Sequence, residues 1–380
     1  MMLFLMCMLF AMILGILFYH WLKKPQYQSP GGDDLALYIS HAHYENKTFY
    51  NLTHHPSQED RSEPFTTLLQ FFLHRNSQAI PLLPVPSHKT NLHQLDRCQN
   101  LVIWMGHSTC FIQLDGLRFL IDPVFSDNAS PVPKTNRAFA GSNIYQVEDI
   151  PVLDYLLITH DHWDHLDYPT VKALHPKVRH VVTAMGIGSY LRQWGYKKEQ
   201  IHECDWYQTI QTGQGLAIIF LPSHHFSGRL IRENRTLWGS FALLGSQKIY
   251  LSGDSGYSSH FDEIGQQYGP FDIAVLECGQ YDQSWPDIHM FPEQTAQAAV
   301  DLQAKVVIPQ HNSKFKLANH DWNEPLDRIV AASDGKPYCL LTPMIGQTVD
   351  TCLKQQYFHR WWHEASPVNV QATCPGEHSR

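Results

Sequence analysis

The stretch Thr159–Asp167 reads T-H-D-H-W-D-H-L-D and sits directly behind the apolar run Leu153–Ile158. The apolar run predicts a buried strand, and the polar stretch then falls at its carboxyl end. Residues two apart on an extended segment point to the same side, so His160 and His162 can converge on one point. Asp164 and His165 follow where the chain must turn, and they can face a second point nearby. Imidazole with carboxylate is a donor set for zinc, or for manganese or iron where oxygen dominates. Any one of these histidines alone would read as a surface residue. H-x-H-x-D-H at a strand end reads as a metal-binding loop.

The bulk composition narrows the setting. With 380 residues the chain can bury one large core or two modest ones, and 43% hydrophobic against 17% charged residues is a globular balance. A net charge of −8 argues against a duplex nucleic-acid binder, which needs a basic face for phosphate contacts. The cysteines at 7, 98, 110, 204, 278, 339, 352 and 374 show no C-x-x-C spacing, so they read as small buried residues or free thiols, with a reducing compartment favoured.

Four segments follow from the pattern along the chain. Residues 1–24 read as a transmembrane anchor: Met1–Leu22 is almost uncharged and of bilayer-spanning length, closed by Tyr19, Trp21 and the Lys23-Lys24 pair. Those lysines favour a single-pass protein with its catalytic part in the cytoplasm. Residues 25–100 form a polar extension and linker, with a helix-like patch at Pro64–His74 and an extended connector at Pro81–Pro86. Residues 101–350 alternate short apolar runs with helical patterns, which predicts an α/β layered domain. Its strands fall at Leu101–Met105, Cys110–Leu114, Leu117–Ile121, Leu153–Ile158, Val178–Thr183, Leu216–Leu221, Trp238–Leu244, Lys248–Leu251, Ile273–Cys278 and Lys305–Pro309. Its helices are Tyr168–His175, started by Asp167 as cap, Ile187–Trp194 and Pro292–Gln303. Residues 351–380 read as a tail. His160, His225, Asp254 and His311 each follow an apolar run.

H-x-H-x-D-H at a strand end is also the signature of the metallo-β-lactamase-fold hydrolases. W-M-G-H-S-T at Trp104–Thr109, I-D-P-V-F-S at Ile121–Ser126 and L-S-G-D-S-G-Y at Leu251–Tyr257 narrow the likeness. Together, over roughly Leu101–Leu341, the chain resembles the branch of N-acylphosphatidylethanolamine-hydrolysing phospholipase D and its lactonase-like relatives. The resemblance implies a four-layer αβ/βα sandwich, here preceded by the transmembrane helix, with two divalent metal ions at the sheet edge, zinc first and Mn2+ or Fe2+ as alternatives. It implies His160, His162 and His225 on the first metal, with His224 as the fallback for His225. Asp164, His165 and His311 take the second metal, and Asp254 bridges both.

Asp164 is then placed to accept the proton of the nucleophile, and His289 to face the substrate and protonate the leaving oxygen. Asp122 and His107 are candidates for orienting the ligating imidazoles, and Tyr281 and Trp285 for lining the pocket. The phospholipase members read N-P-E after H-M, whereas this chain has Phe291-Pro292-Glu293, so the substrate wall departs from theirs. The implied activity is phosphodiester hydrolysis on an N-acylphosphatidylethanolamine-like lipid. A lactonase or another phosphodiesterase using the same metals is the alternative. A metal-stabilised scaffold without turnover would show a degraded ligand set, and this set is complete. The oligomeric state is not encoded in any pattern found.

Overall fold

The computed structural model describes residues 43–53, 76–132, 134–229, 232–352 and 356–365, with a few isolated positions before residue 25. The Pro64–His74 patch and most of Met1–Leu22 lie outside the described residues. Among the described residues no helix is long and apolar enough to cross a membrane.

Two seven-stranded sheets make the frame. The first takes β1 (Leu101–Trp104), β2 (Cys110–Leu114), β3 (Leu117–Ile121), β4 (Leu153–Ile158), β5 (Val178–Ala184) and β6 (Ile201–Cys204). The second takes β7 (Thr209–Gln211), β8 (Ala217–Leu221), β9 (Ser240–Leu244), β10 (Lys248–Leu251), β11 (Ile273–Glu277), β12 (Val306–Gln310) and β13 (Cys339–Leu340). A last strand, β14 (Thr348–Asp350), returns to the first sheet. Spatial order is β14-β1-β2-β3-β4-β5-β6 in one sheet and β13-β12-β11-β10-β9-β8-β7 in the other. Each sheet is antiparallel in one part and parallel in the other. The change comes between β3 and β4 in the first sheet and between β10 and β11 in the second.

The parallel parts need helical crossovers. These are α1 (Tyr168–Leu174) and α2 (Gly188–Gln193) in the first half, then α3 (His260–Tyr268) and α4 (Pro292–Asp301), with α5 (Glu324–Ala332) beyond β12. Side-chain alternation explains why the strands read as unbroken apolar runs. In β8, Ile218 and Phe220 join the core between the sheets, while Ile219 and Leu221 pack with Phe261 and Ile264 of α3 and Ala298 and Ala299 of α4. Both faces are covered, so no polar face interrupts the pattern.

Several expectations shift in detail. Asp167 stands at the start of α1, but its carboxylate accepts from the Ser126 and Thr170 hydroxyls and makes no capping bond to the helix. The strand expected from Trp238 begins at Ser240, after Gly239, where a side chain would run into the Leu221 carbonyl and the Phe220 ring. The short strands β6, β7, β13 and β14 carry too little apolar pattern to announce themselves. Trp361 and Trp362, in the stretch read as a tail, are buried, with the Trp361 ring 6.4 Å from that of Trp104. The six described cysteines are free thiols.

Candidate metal centre

The carboxyl end of β4 delivers the T-H-D-H-W-D-H-L-D loop, and Asp122 fixes its start. Asp122, just past β3, accepts the Thr159 amide at 2.9 Å, the Thr159 hydroxyl at 2.6 Å and His165 Nδ1 at 2.8 Å. That last bond leaves His165 Nε2 as the atom facing inward. The loop then turns, with the His165 and Leu166 amides both donating to the His162 carbonyl. Beneath it, the Arg229 guanidinium donates to the Asp161 and Leu166 carbonyls at 2.8 Å and lies 3.6 Å from the Trp163 ring centre. The Asp161 carboxylate accepts from the Gly228 amide and the Tyr190 hydroxyl. The loop is therefore held on both sides before any metal enters.

Three histidine nitrogens and a carboxylate meet on one side. His160 Nε2 is 2.9 Å and His225 Nε2 3.2 Å from His162 Nδ1, and both face Asp254 Oδ2 at 3.8 and 3.7 Å. His225 Nδ1 donates to the Ile288 carbonyl at 2.9 Å, which fixes the ring so that Nε2 is the free nitrogen. His224 points its main chain at Ser255 and Gly256 and is not in this group. On the other side, His165 Nε2 and His311 Nδ1 approach Asp254 Oδ1 at 3.1 and 3.2 Å. Asp164 Oδ2 lies 3.5 Å from His165 Nε2 and 4.0 Å from His311 Nε2. One carboxylate, Asp254, thus presents one oxygen to each group.

The W-M-G-H-S-T segment closes this second side. His107 Nε2 contacts Asp164 Oδ2 at 2.7 Å, and the Ser108 hydroxyl contacts His311 Nδ1 at 2.7 Å. His107 and His311 both sit at positive φ and are tied by main-chain bonds, His311 N–H to His107 O and His107 N–H to Asn312 O. Ser108 was not singled out in the sequence, although it lies inside a segment that was.

The third side is Glu277, the last residue of β11, which sequence reasoning missed. It accepts the Ser255 amide at 2.5 Å and a short bond from His289 Nδ1. A charged residue closing the run I-A-V-L-E was its only signal. His289 sits between the two groups, its ring centre 5.1 Å from His225 and 5.2 Å from His311. Tyr281 donates its hydroxyl to Glu324 at 3.0 Å and stacks on His320, and Trp285 donates to the Gln280 carbonyl. In the segment that departs from N-P-E, Phe291 packs on Tyr281, and Glu293 forms a two-pronged pair with Arg328.

Electrostatics show what this arrangement accepts. Burial, reinforced by neighbouring imidazoles, holds His160 and His225 well below the usual histidine range, and burial brings His162 to about 3 despite Asp164. These rings are neutral ligands at physiological pH. Burial also acts to lower His165, but Asp254, Asp164 and Asp122 outweigh it and raise it well above the usual value. Burial pushes Asp254 up to about 7, with His165 opposing and Glu277 adding to the rise. Buried His165 Nε2 and Asp254 Oδ1 lie 3.1 Å apart without hydrogen-bond geometry, and His311 Nε2 has no hydrogen-bond partner among the described residues. Three carboxylates gathered on one buried imidazole, beside neutral histidine rings, are costly to bury unless a cation satisfies them. The residues fit two divalent metal ions: His160, His162, His225 and Asp254 on one, Asp164, His165, His311 and Asp254 on the other.

The chain is similar to known proteins in sequence and in fold. The family model described as a beta-lactamase superfamily domain matches residues 117–312. An uncharacterized protein of Mycobacterium tuberculosis is 38% identical over 76% of this chain and 78% of its own length. The N-acyl-phosphatidylethanolamine-hydrolyzing phospholipase D 1 of Caenorhabditis elegans is 29% identical over 61% of this chain and 69% of its own. Among solved structures, Igni18, a metallo hydrolase of Ignicoccus hospitalis, superposes with a TM-score of 0.51 at 23% identity, covering 66% of this chain and 97% of that one, which is a likeness of fold.

Proposed function

The chain belongs to the β-lactamase superfamily and is a metal-dependent hydrolase of the metallo-β-lactamase fold, and from that premise we propose that it is a two-metal phosphodiesterase of the phospholipase D type. The substrate class is an N-acylphosphatidylethanolamine or a similar membrane lipid, cleaved to phosphatidic acid and an N-acylethanolamine. The observation that carries the two-metal reading is the Asp254 carboxylate, with one oxygen at each of two histidine groups. The likeness to the Caenorhabditis elegans phospholipase supports the substrate class.

When bound, two divalent cations, zinc by preference, supply Lewis acidity toward a phosphoryl oxygen and make water acidic enough to serve as a nucleophile near neutral pH. The chain's own residues do the rest. His162, Asp164 and His289 are less completely covered than His160, His165, His225 and His311, so substrate meets the site at their side. Asp164, held by His107, takes up the proton of the nucleophile. His289, held by Glu277, faces the same opening and delivers a proton to the leaving oxygen of the N-acylethanolamine. Asp122, Ser108 and the Ile288 carbonyl keep the His165, His311 and His225 rings from rotating, so the reacting groups need little reorganisation.

Residues 1–22 anchor this hydrolase in the membrane in our reading, with the catalytic part on the cytoplasmic side. The apolar length and the flanking lysines support that reading. Anchoring confines enzyme and lipid to one two-dimensional phase. The test assays metal-loaded full-length protein on N-acylphosphatidylethanolamine, simpler phosphodiesters and lactones, and counts bound metal. Two ions per chain and preferred cleavage of the lipid are expected. Turnover of lactones alone would replace the substrate reading, and full activity with one ion would remove the two-metal reading. Deleting residues 1–24 should preserve activity on detergent-dispersed lipid and lower it on vesicles.

A further inference from the structure

The segment before the catalytic domain reaches the main chain of His225. Tyr44–Glu45 and Thr48–Phe49 pair as a small antiparallel hairpin, Phe49 is buried, and its amide donates to the Asn234 carbonyl at 2.8 Å. Two residues on, Asn51 is only 2% exposed. Its side-chain Nδ2 donates to the His225 carbonyl at 2.9 Å, and its Oδ1 accepts the His225 amide at 3.1 Å. The same Oδ1 accepts the Trp238 indole N–H at 2.9 Å. A primary amide offers a donor and an acceptor side by side, so it can pair with the N–H and C=O of one residue as a neighbouring strand would.

We propose that Asn51 is a positioning residue for the first metal: its amide clamps the His225 main chain and so sets where His225 Nε2 lies relative to His160, His162 and Asp254. The proposal rests on the reading of His225 as a metal ligand. The ring of His225 is already held by the Ile288 carbonyl, so ring rotation and main-chain placement are controlled from two different segments. Asn234 braces the same loop two residues on, its amide donating to the Ser227 carbonyl at 2.8 Å and its Oδ1 accepting the Ser227 amide at 3.1 Å. Asn51 is 174 positions from His225 in sequence, and it lies outside the stretch matched by the family model. The part of the chain read as a linker is thereby a component of the metal site.

The amide can be separated from hairpin docking, because Phe49 and its bond to Asn234 remain when Asn51 changes. Asn51→Ala leaves the buried His225 N–H and C=O without this partner, whereas the Trp238 indole also has the Ser223 carbonyl at 3.2 Å. Asn51→Asp keeps the acceptor for the His225 amide and loses the donor to its carbonyl. The experiment titrates metal-free full-length protein with zinc against a competing chelator, follows cobalt binding by its visible spectrum, and records thermal unfolding of the metal-free form. Asn51→Ala is expected to weaken the first site by about 10- to 100-fold, the range typical of groups that hold a ligand in place, while leaving the second site unchanged. Asn51→Asp should lose less, and deletion of residues 1–24 should lose nothing. Unchanged zinc affinity in both substituted proteins would overturn the proposal, as would equal weakening of both sites in step with metal-free stability. Should Asn51→Ala fail to fold, the first-site affinity of Asn51→Asp against wild type decides. Wild-type protein that binds no zinc would instead remove the metal reading itself.

Discussion

The two halves of the sandwich supply the same metal centre in opposite ways. The first sheet gives His160, His162, Asp164 and His165 from one loop after β4, a single turn braced by Asp122 and Arg229. The second sheet gives one residue from each of four places: His225 after β8, Asp254 after β10, Glu277 at the end of β11 and His311 after β12. A contiguous loop carries its geometry locally, so a short stretch of sequence displays it. A distributed set has no local geometry at all, and only the register of β8 through β12 brings its members together. The distributed half also makes the connection between the metals, because Asp254 is the residue that touches both groups.

Removing that connection should have the largest effect. Asp254→Ala is expected to lower kcat/KM by about 10³-fold or more, on the order of 4 kcal/mol of transition-state stabilisation, and to reduce metal content in both sites. Steady-state kinetics with elemental analysis check this. Loss from one site only would show that the two halves are not joined through Asp254.

The next effect tests whether a distributed ligand can be placed to the residue. His225→Ala should lower activity by about 10²-fold or more through the first site. His224→Ala should stay within about 3-fold, the spread expected of a substitution outside the ligand set. Activity and zinc content of the two folded variants decide, and the reverse order would move the ligand one position back.

The smallest effect concerns the seam between the halves. Lys314, just past His311, is buried and donates to the Val124 carbonyl of the first half at 2.8 Å. Burial lowers its pKa to about 7 from the ordinary 10.5, with Asp167 opposing. Below pH 7 folded and unfolded chains both carry the charge, and its burial penalty is present in full. Between pH 7 and 10.5 the unfolded chain binds a proton that the folded chain does not, so this group makes stability rise with pH. Relative to Lys314→Met, wild type should therefore gain at most about 1.4 kcal/mol per pH unit over that window. Urea unfolding of both proteins at pH 7 and pH 9 measures the difference. A flat difference would mean that Lys314 is charged within the seam.

Legibility followed the same division. Between β2 and β3, Asp115 and Gly116 both hold positive φ, which a tight two-residue turn requires and an Asp-Gly pair supplies. The β4 loop was readable from its spacing. Asp254 and His311 required the resemblance to a known family, since an aspartate between glycines or a lone histidine specifies nothing. Glu277 went unseen because a carboxylate at a strand end is ordinary until the Ser255 amide and His289 are found against it. Tyr281, a candidate for lining the pocket, packs with Glu324, His320 and Arg328, partners contributed by segments remote in sequence.

The sequence by itself determined the layered α/β architecture, the loop that starts the metal site and the donor chemistry suited to divalent cations. Those properties reside in runs of a few residues, where hydrophobic period and ligand spacing act locally. Tertiary structure alone decided which of two adjacent histidines turns inward, that Asp254 offers one oxygen to each group, and that Asn51 closes on His225 from the far end of the chain. These outcomes depend on strand register and on buried polar groups finding partners across the fold, and neither is written in neighbouring residues.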